Sequence, residues 1–451
     1  MIRLLLFAAL YLSDFSTVNS LQFTGRGFCA ATDGGVFVYD NSRGIVASYA
    51  MKGLKLAACD INSGEIAFIT KDGTLYVYSS FFETLKRIGL ARGVKGMGYS
   101  SGIIMLIYSN GTRRYVSRFG QPAPSIYIDT MFQAKPRTFP LYLKTRTYEN
   151  ACHVFKDPLS YAPGYDLDFI GTDGNGVYIF DKRMKKLKNT VYLNITPPVR
   201  KFITVFDTLY VLHSAGVTKI SKNYVSSLSG DCFQYGFYPV DMVYAGGEMF
   251  LISRNGFYTA DDPYFFTPLN GVCGEARSAF GMKDKSFVVT RHCLLTVSDE
   301  GETITEFRTE KTVDYGVSDG KNIYFIIDER LYVLADTALE EIIYAEEPII
   351  AHTIISDYGK VYIPAKRGLF ILSTKGIELI RSPFDLLSVL SGIFSENMLY
   401  LALPDKVILY DFPHKTWKMY NIGKGQLTGI TTITEFEGKL YVGYDKGVLV
   451  K

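Results

Sequence analysis

The stretch Gly171-Thr172-Asp173-Gly174-Asn175-Gly176-Val177-Tyr178-Ile179-Phe180-Asp181 decides how this chain folds. A polar turn rich in Asp, Asn and Gly passes directly into four apolar side chains in a row. Asp-Gly and Asn-Gly pairs supply the positive φ angles that a tight hairpin turn needs. Thr32-Asp33-Gly34-Gly35-Val36-Phe37-Val38-Tyr39-Asp40 repeats the pattern. Marking the first residue after each such turn gives Val36, Leu75, Tyr115, Val177, Val217, Phe257, Leu294, Leu331, Leu369, Val407 and Val448. The marks fall 37 to 41 residues apart except for one gap of 62. A period near forty without helical periodicity belongs to four-stranded propeller blades.

Further strands precede the turns, as in Leu209-Tyr210-Val211-Leu212, Met249-Phe250-Leu251-Ile252 and Ile323-Tyr324-Phe325-Ile326. Ahead of these stands another turn, such as Ser63-Gly64, Gly246-Gly247 or Asp319-Gly320, so each unit holds two hairpins. Apolar residues at successive positions imply strands buried on both faces, as in the middle of a blade packed between two others. Thr303-Ile304-Thr305-Glu306-Phe307 and Trp417-Lys418-Met419-Tyr420 are more polar, which suits an outer edge. The expected architecture is an all-β propeller of four-stranded antiparallel blades. About eleven repeat units would form one large ring, two smaller propellers, or seven regular blades from Gly171 onward plus a second module.

Two irregularities mark the chain. The long gap places a Pro-rich insertion or domain junction at 119–165, containing Pro122, Pro124, Pro136, Pro140, Pro158 and Pro163. It separates blades 1–3 (21–118) from blades 4–11 (166–451). The last repeat ends after its third strand, so either that blade lacks an edge or the residues near Leu21-Gln22-Phe23 complete the ring.

The Gly-Thr-Asp-Gly-x-Gly-Val-Tyr-Ile-Phe-Asp pattern resembles blades of the sensor-type regulator propellers and of the wider quinoprotein-like and WD40-like superfamily. Tyr or Phe stands where regulator blades place Trp before the turn. The Gly-His and Trp-Asp pairs of WD40 blades are absent, and a single tryptophan, Trp417, excludes repeated sialidase Asp-boxes. The resemblance implies a fold; function has to be argued from a site.

Arg3, the apolar run Leu4–Leu12 and the polar stretch ending Val18-Asn19-Ser20 read as a secretory signal peptide over residues 1–20. Cleavage is expected after Ser20, with Ser16 as the alternative. Nine apolar residues are too few to span a bilayer, so no membrane span is expected after cleavage. The expected location is secreted, or the lumen of the secretory pathway, or the periplasm in a bacterium. Six cysteines without CxxC spacing favour disulfides over zinc. Repeat geometry favours Cys29–Cys59 and Cys273–Cys293, leaving Cys152 for Cys232, with buried free thiols as the alternative. Asn110-Gly111-Thr112 and Asn194-Ile195-Thr196 are glycosylation sequons.

A net charge of +3 over 451 residues argues against polyanionic partners. The one basic run, Lys182-Arg183-Met184-Lys185-Lys186, reads as a solvated turn, and no nucleic acid is expected. No P-loop, Gly-x-Ser-x-Gly or HExxH occurs, and no cofactor or metal is called for. Asp173-Gly174-Asn175-Gly176 opens like a calcium loop, but its twelfth position is Met184 rather than Glu. Of five histidines, His213 and His292 are expected on exposed hairpin turns. His352 is expected on an innermost strand, together with Asp60, Asp241, Asp314 and Arg277, where side chains converge on a channel.

The reading is a non-catalytic binding or scaffold propeller. It would recognise a protein or extracellular polymer through loop faces or the 119–165 insertion. The alternative is a propeller hydrolase or lyase using His352, Asp60, Asp241, Asp314 and Arg277 at the channel; a periplasmic sensor module is a third possibility.

Overall fold

The computed structural model describes residues 10–12, 15, 17–42, 44–60, 63–80, 82, 84–125, 133–134, 158–172, 176–191, 193–221, 224–229, 233, 237–260, 266–269, 273–283, 285–297, 303–335, 338–357, 359–420, 429–445 and 447–451. The regular elements among them are β-strands, grouped in twelve antiparallel sheets. Eleven of these sheets are blades, one per repeat; the twelfth is the small hairpin Ile343–Tyr344 with Glu347–Pro348. All eleven marker residues fall on the third strand of their repeat, as with Val36 in Gly35–Asp40 and Leu369 in Gly368–Ser373.

The first strand of each repeat lies on the inner side of its blade, with the short Gln133–Ala134 strand pairing beyond it in the fourth. In chain order these strands are β1 (Val18–Phe23), β2 (Leu54–Asp60), β3 (Val94–Ser100) and β4 (Pro158–Pro163). There follow β5 (Val199–Val205), β6 (Pro239–Ala245), β7 (Ala276–Met282) and β8 (Val313–Ser318). The last three are β9 (Ile355–Asp357), β10 (Ser391–Ser395) and β11 (Thr432–Phe436). Two compact units divide the chain: unit 1 comprises 1–196, 218–227 and 446–451, and unit 2 comprises 197–217 and 228–445.

Unit 2 contains β5 to β11, seven inner strands that succeed one another around a ring. The ring closes where β11 meets β5. There the Thr431 hydroxyl donates to the Val199 carbonyl, and a Cβ at Gly443 would stand 2.8 Å from the Val199 Cβ. Seven inner strands therefore complete a circuit in unit 2. In unit 1 the inner strands run side by side in the order β4, β1, β2, β3.

Burial on both faces explains the unbroken apolar runs. Every residue of Gly27–Thr32 and of Gly35–Asp40 is buried. The core lies between facing blades: Phe280, Phe287, Val289 and Leu294 of one blade pack against Val313, Phe325 and Ile327 of the next. Removing such a side chain from water is worth roughly 1.5–3 kcal/mol, so blade-to-blade stacking supplies most of the cohesion. The outermost strands Thr303–Arg308 and Thr416–Tyr420 are largely exposed, as their polarity predicts.

At the third residue of β1 and β7, and at the first of β10 and β11, the inner strands also stitch neighbouring blades together with polar contacts. The Ser20 hydroxyl accepts from Ala57 N–H at 3.3 Å, and the Ser278 hydroxyl from Gly316 N–H at 3.0 Å. The Ser391 and Thr432 hydroxyls meet at 3.3 Å. A lone hydroxyl in an apolar strand is thereby satisfied by the adjacent blade.

Three features bear on the expected boundaries. Leu10–Leu12, placed by the sequence within a leader, pairs antiparallel with Val448–Val450 and supplies an edge strand for the final repeat, expected either to lack an edge or to take one from Leu21–Phe23. Leu21–Phe23 instead belongs to β1, the inner strand of the first blade. The 119–165 stretch contains β4, an inner strand paired with both Gln133–Ala134 and Leu167–Thr172. Its residues 126–132 and 135–157 lie outside the described residues.

Candidate functional site

Inner strands from all seven blades of unit 2 enclose a cavity of about 560 Å³. Its size lies in the range of small-ligand pockets. One arc, from β5 to β7, carries charge: Arg200, Lys201, Asp241 and Arg277. The other arc presents hydroxyls, among them Ser318, Thr353, Ser391 and Thr432, with Ile354 and Leu390 beside them.

Asp241 is the carboxylate of this lining, and its oxygens are committed. One oxygen takes the Lys201 ammonium at 2.6 Å and the Met242 N–H at 2.7 Å. The other takes the Ala279 N–H at 2.7 Å. The Lys201 ammonium also donates to the Ala279 carbonyl at 3.2 Å. Lys201 and Asp241 occupy the third position of their strands, where other blades use Ser20 or Ser278. The ion pair is thus the charged version of the same inter-blade rung. Behind it, burial and the Asp241 charge together hold the Tyr315 phenol well above its ordinary pKa.

A backbone irregularity places the remaining charges. In β5, β6, β7 and β8 the pairing register slips by one residue at the second position of the strand, leaving Arg200, Val240, Arg277 and Asp314 as bulge residues. A bulge re-aims the extra side chain away from the ladder. Arg200, Arg277 and Asp314 are accordingly exposed. His352 has the same place in the next blade: Ala351 bridges Ala365 while Ile355 pairs with Tyr362, which leaves one residue more on the inner side.

Of the five residues expected at a channel, Asp241 and Arg277 line the cavity. His352 is exposed just ahead of β9 and lies outside the lining, as does Asp314. Asp60 belongs to unit 1, at the end of β2, where its carboxylate accepts from Ser101 N–H at 3.0 Å. The expected convergence of acids around His352 is therefore not what the ring contains. Of the residues at the bulge position, Arg200, Val240 and Arg277 reach the cavity lining, while Asp314 and His352 do not.

His213 also differs from expectation. It ends the strand Thr208–His213 and is completely buried rather than exposed on a turn. Burial lowers its pKa to about 3. The Ala215 N–H points to its Nδ1 at 3.3 Å, consistent with a neutral ring. His292 lies on a turn with its Nδ1 3.3 Å from the Lys311 carbonyl. His153 lies outside the described residues.

Cys273 and Cys293 form the expected disulfide, Cα to Cα 5.2 Å. Cys29 and Cys59, expected as a second bridge, are buried free thiols on adjoining blades. Burial and hydrogen bonding to Cys59 raise the Cys29 pKa far above the usual thiol value. Cys152 and Cys232 lie outside the described residues. Asn110 is exposed on a hairpin turn, its Oδ1 accepting from Thr112 N–H. Asn194 is half-buried against Thr218 and Ser227.

Sequence reasoning missed a second buried cluster, in unit 1. The Glu65 carboxylate, nearly inaccessible, accepts from the Tyr99 hydroxyl at 2.6 Å and from Arg118 at 2.7 Å. Two members come from different strands and Arg118 from a turn, so no local spacing announces them. Among the described residues, no group of three or more His, Cys, Asp or Glu is placed to hold a metal ion. No helix among them is long and apolar enough to cross a membrane.

No family model matches this sequence, and no curated protein matches it. Solved propellers resemble the structure at low identity. Against YCF48 bound to a D1 peptide the TM-score is 0.47 at 12% identity, covering 57% of this chain and 92% of that one. The WD40 propeller domain of Doa1 gives 0.44 at 9%, covering 56% and 92%. The GH74 xyloglucanase of Xanthomonas campestris gives 0.40 at 13%, covering 92% and 71%. The blade geometry itself identifies this chain as a β-propeller.

Proposed function

We propose that this protein is a non-catalytic binding propeller of a secreted or lumenal compartment, recognising a protein or extracellular polymer at the face where the unit 2 cavity opens. The observation that carries the reading is the state of Asp241. Its carboxylate oxygens are held by an ammonium and two backbone N–H groups, so the carboxylate is engaged in the contact between blades rather than turned toward a substrate. Exposed arginines and hydroxyls around it suit recognition. The Cys273–Cys293 disulfide supports an oxidising compartment.

The test is to incubate the full chain with extracellular polysaccharides and with peptides, following both binding and product release. Saturable binding without turnover is the expected result. Release of reducing ends or unsaturated products that disappears in Asp241→Asn would overturn it and establish the hydrolase or lyase alternative.

A further inference from the structure

We propose that the unit 2 cavity is a carboxylate-binding site for an acidic peptide, with Arg200 and Arg277 holding the carboxylates; this rests on the reading of the protein as a binding propeller. The two arginines take equivalent bulge positions on β5 and β7, on either side of β6, and both line the cavity. Among the described residues neither makes an ion pair or a hydrogen bond. Lys201, the third cation of the lining, is already spent on Asp241 and the Ala279 carbonyl.

The lining thus carries three cations against one carboxylate, in a chain whose overall charge is small. A cleft with low-dielectric walls concentrates such a local excess. An unpaired guanidinium presents a planar fork of donors that matches a carboxylate. Exposed hydroxyls of the lining, Thr204 and Ser356, can donate to peptide carbonyls. A peptide is favoured over an acidic sugar because no aromatic ring of the lining is exposed as a stacking platform, Tyr244 and Tyr315 being half-buried. The Phe202 and Phe280 rings that line the cavity are buried. Asp314, at the equivalent position on β8, puts a negative charge beside Arg277 in the ring and works against an anionic guest.

The experiment measures, with the full chain, the affinity for an acetylated hexapeptide carrying three Glu, for its Gln counterpart and for trigalacturonate. The Glu peptide is expected to bind at least about tenfold tighter than the Gln peptide, because charged hydrogen bonds carry the difference. Raising the salt should weaken it, and Asp314→Asn should tighten it. The pair Arg200→Gln and Arg277→Gln should reduce the Glu peptide to the level of the Gln peptide. Both side chains are exposed, so an unchanged melting temperature confirms that the double variant is folded. Equal affinity for Glu and Gln peptides, retained affinity in the double variant, or binding of trigalacturonate alone would each overturn the proposal. If neutral probes bind and the arginines do not matter, the anion site falls while the binding propeller stands. If a probe is turned over, the binding reading itself falls.

Discussion

His213 shows how one buried side chain ties stability to pH. An unfolded imidazole protonates near 6.5, whereas burial lowers the folded value to about 3. Between those values the unfolded chain holds the extra proton, so stability is complete above about pH 6.5 and declines as pH falls toward 3. The slope approaches about 1.4 kcal/mol per pH unit. Urea midpoints measured from pH 7 to pH 4 should fall, and His213→Gln should flatten that decline; an unchanged slope would show that His213 is not its source. The cysteines give a second residue-level test. With its pKa raised, Cys29 holds little thiolate at neutral pH and should resist alkylation while the chain is folded. Peptide mapping without reduction is expected to find Cys273 joined to Cys293, and Cys29 and Cys59 modified only after unfolding. A Cys29–Cys59 bridge in the isolated protein would contradict the free thiols.

At the scale of the strand, ring closure makes the sharpest demand. Gly443 lies where its strand approaches β5 so closely that a Cβ would stand 2.8 Å from Val199 and 2.9 Å from Thr432. Gly443→Ala should therefore cost on the order of 1–3 kcal/mol by overpacking. Gly89→Ala, on an outer strand with nothing within 4 Å, should leave stability nearly unchanged. Equal melting temperatures for the two variants would mean that the closure is not packed as described. The turns and middle strands were legible because Gly, Asp and Asn sit where positive φ is needed and because two-sided burial forces apolar runs. The polar rung was legible in principle: Lys201, Asp241, Ser278, Tyr315, Thr353, Ser391 and Thr432 repeat at the spacing of the turns. The bulge was not. One extra residue changes which face a side chain meets without changing the composition. Spacing could therefore place Arg277, Asp314 and His352 at one equivalent position without telling that Arg277 lines the cavity and the other two do not.

For the molecule as a whole, the N-terminus decides between export and a built-in edge strand. Cleavage after Ser20 would strip half of β1. It would remove the Ser20 hydroxyl that meets Ala57, and Asn19, whose amide donates to the Leu54 carbonyl at 2.9 Å. It would also remove the Val18 carbonyl that accepts from the Ser160 hydroxyl at 3.0 Å. Cleavage after Ser16 would lose the Leu10–Leu12 edge strand but spare β1, and an edge is the less costly part of a blade to lose. The protein recovered from a eukaryotic secretory host should therefore begin at Thr17, as read by N-terminal sequencing. In the same sample, glycopeptide mapping should find sugar on the exposed Asn110 and not on Asn194, which is packed against Thr218 and Ser227. A chain beginning at Leu21 with its melting transition intact would show that the first half of β1 is dispensable. A chain retained in the cell with Met1 in place and Asn110 bare would remove the secretory reading and leave Leu10–Leu12 as a permanent edge strand.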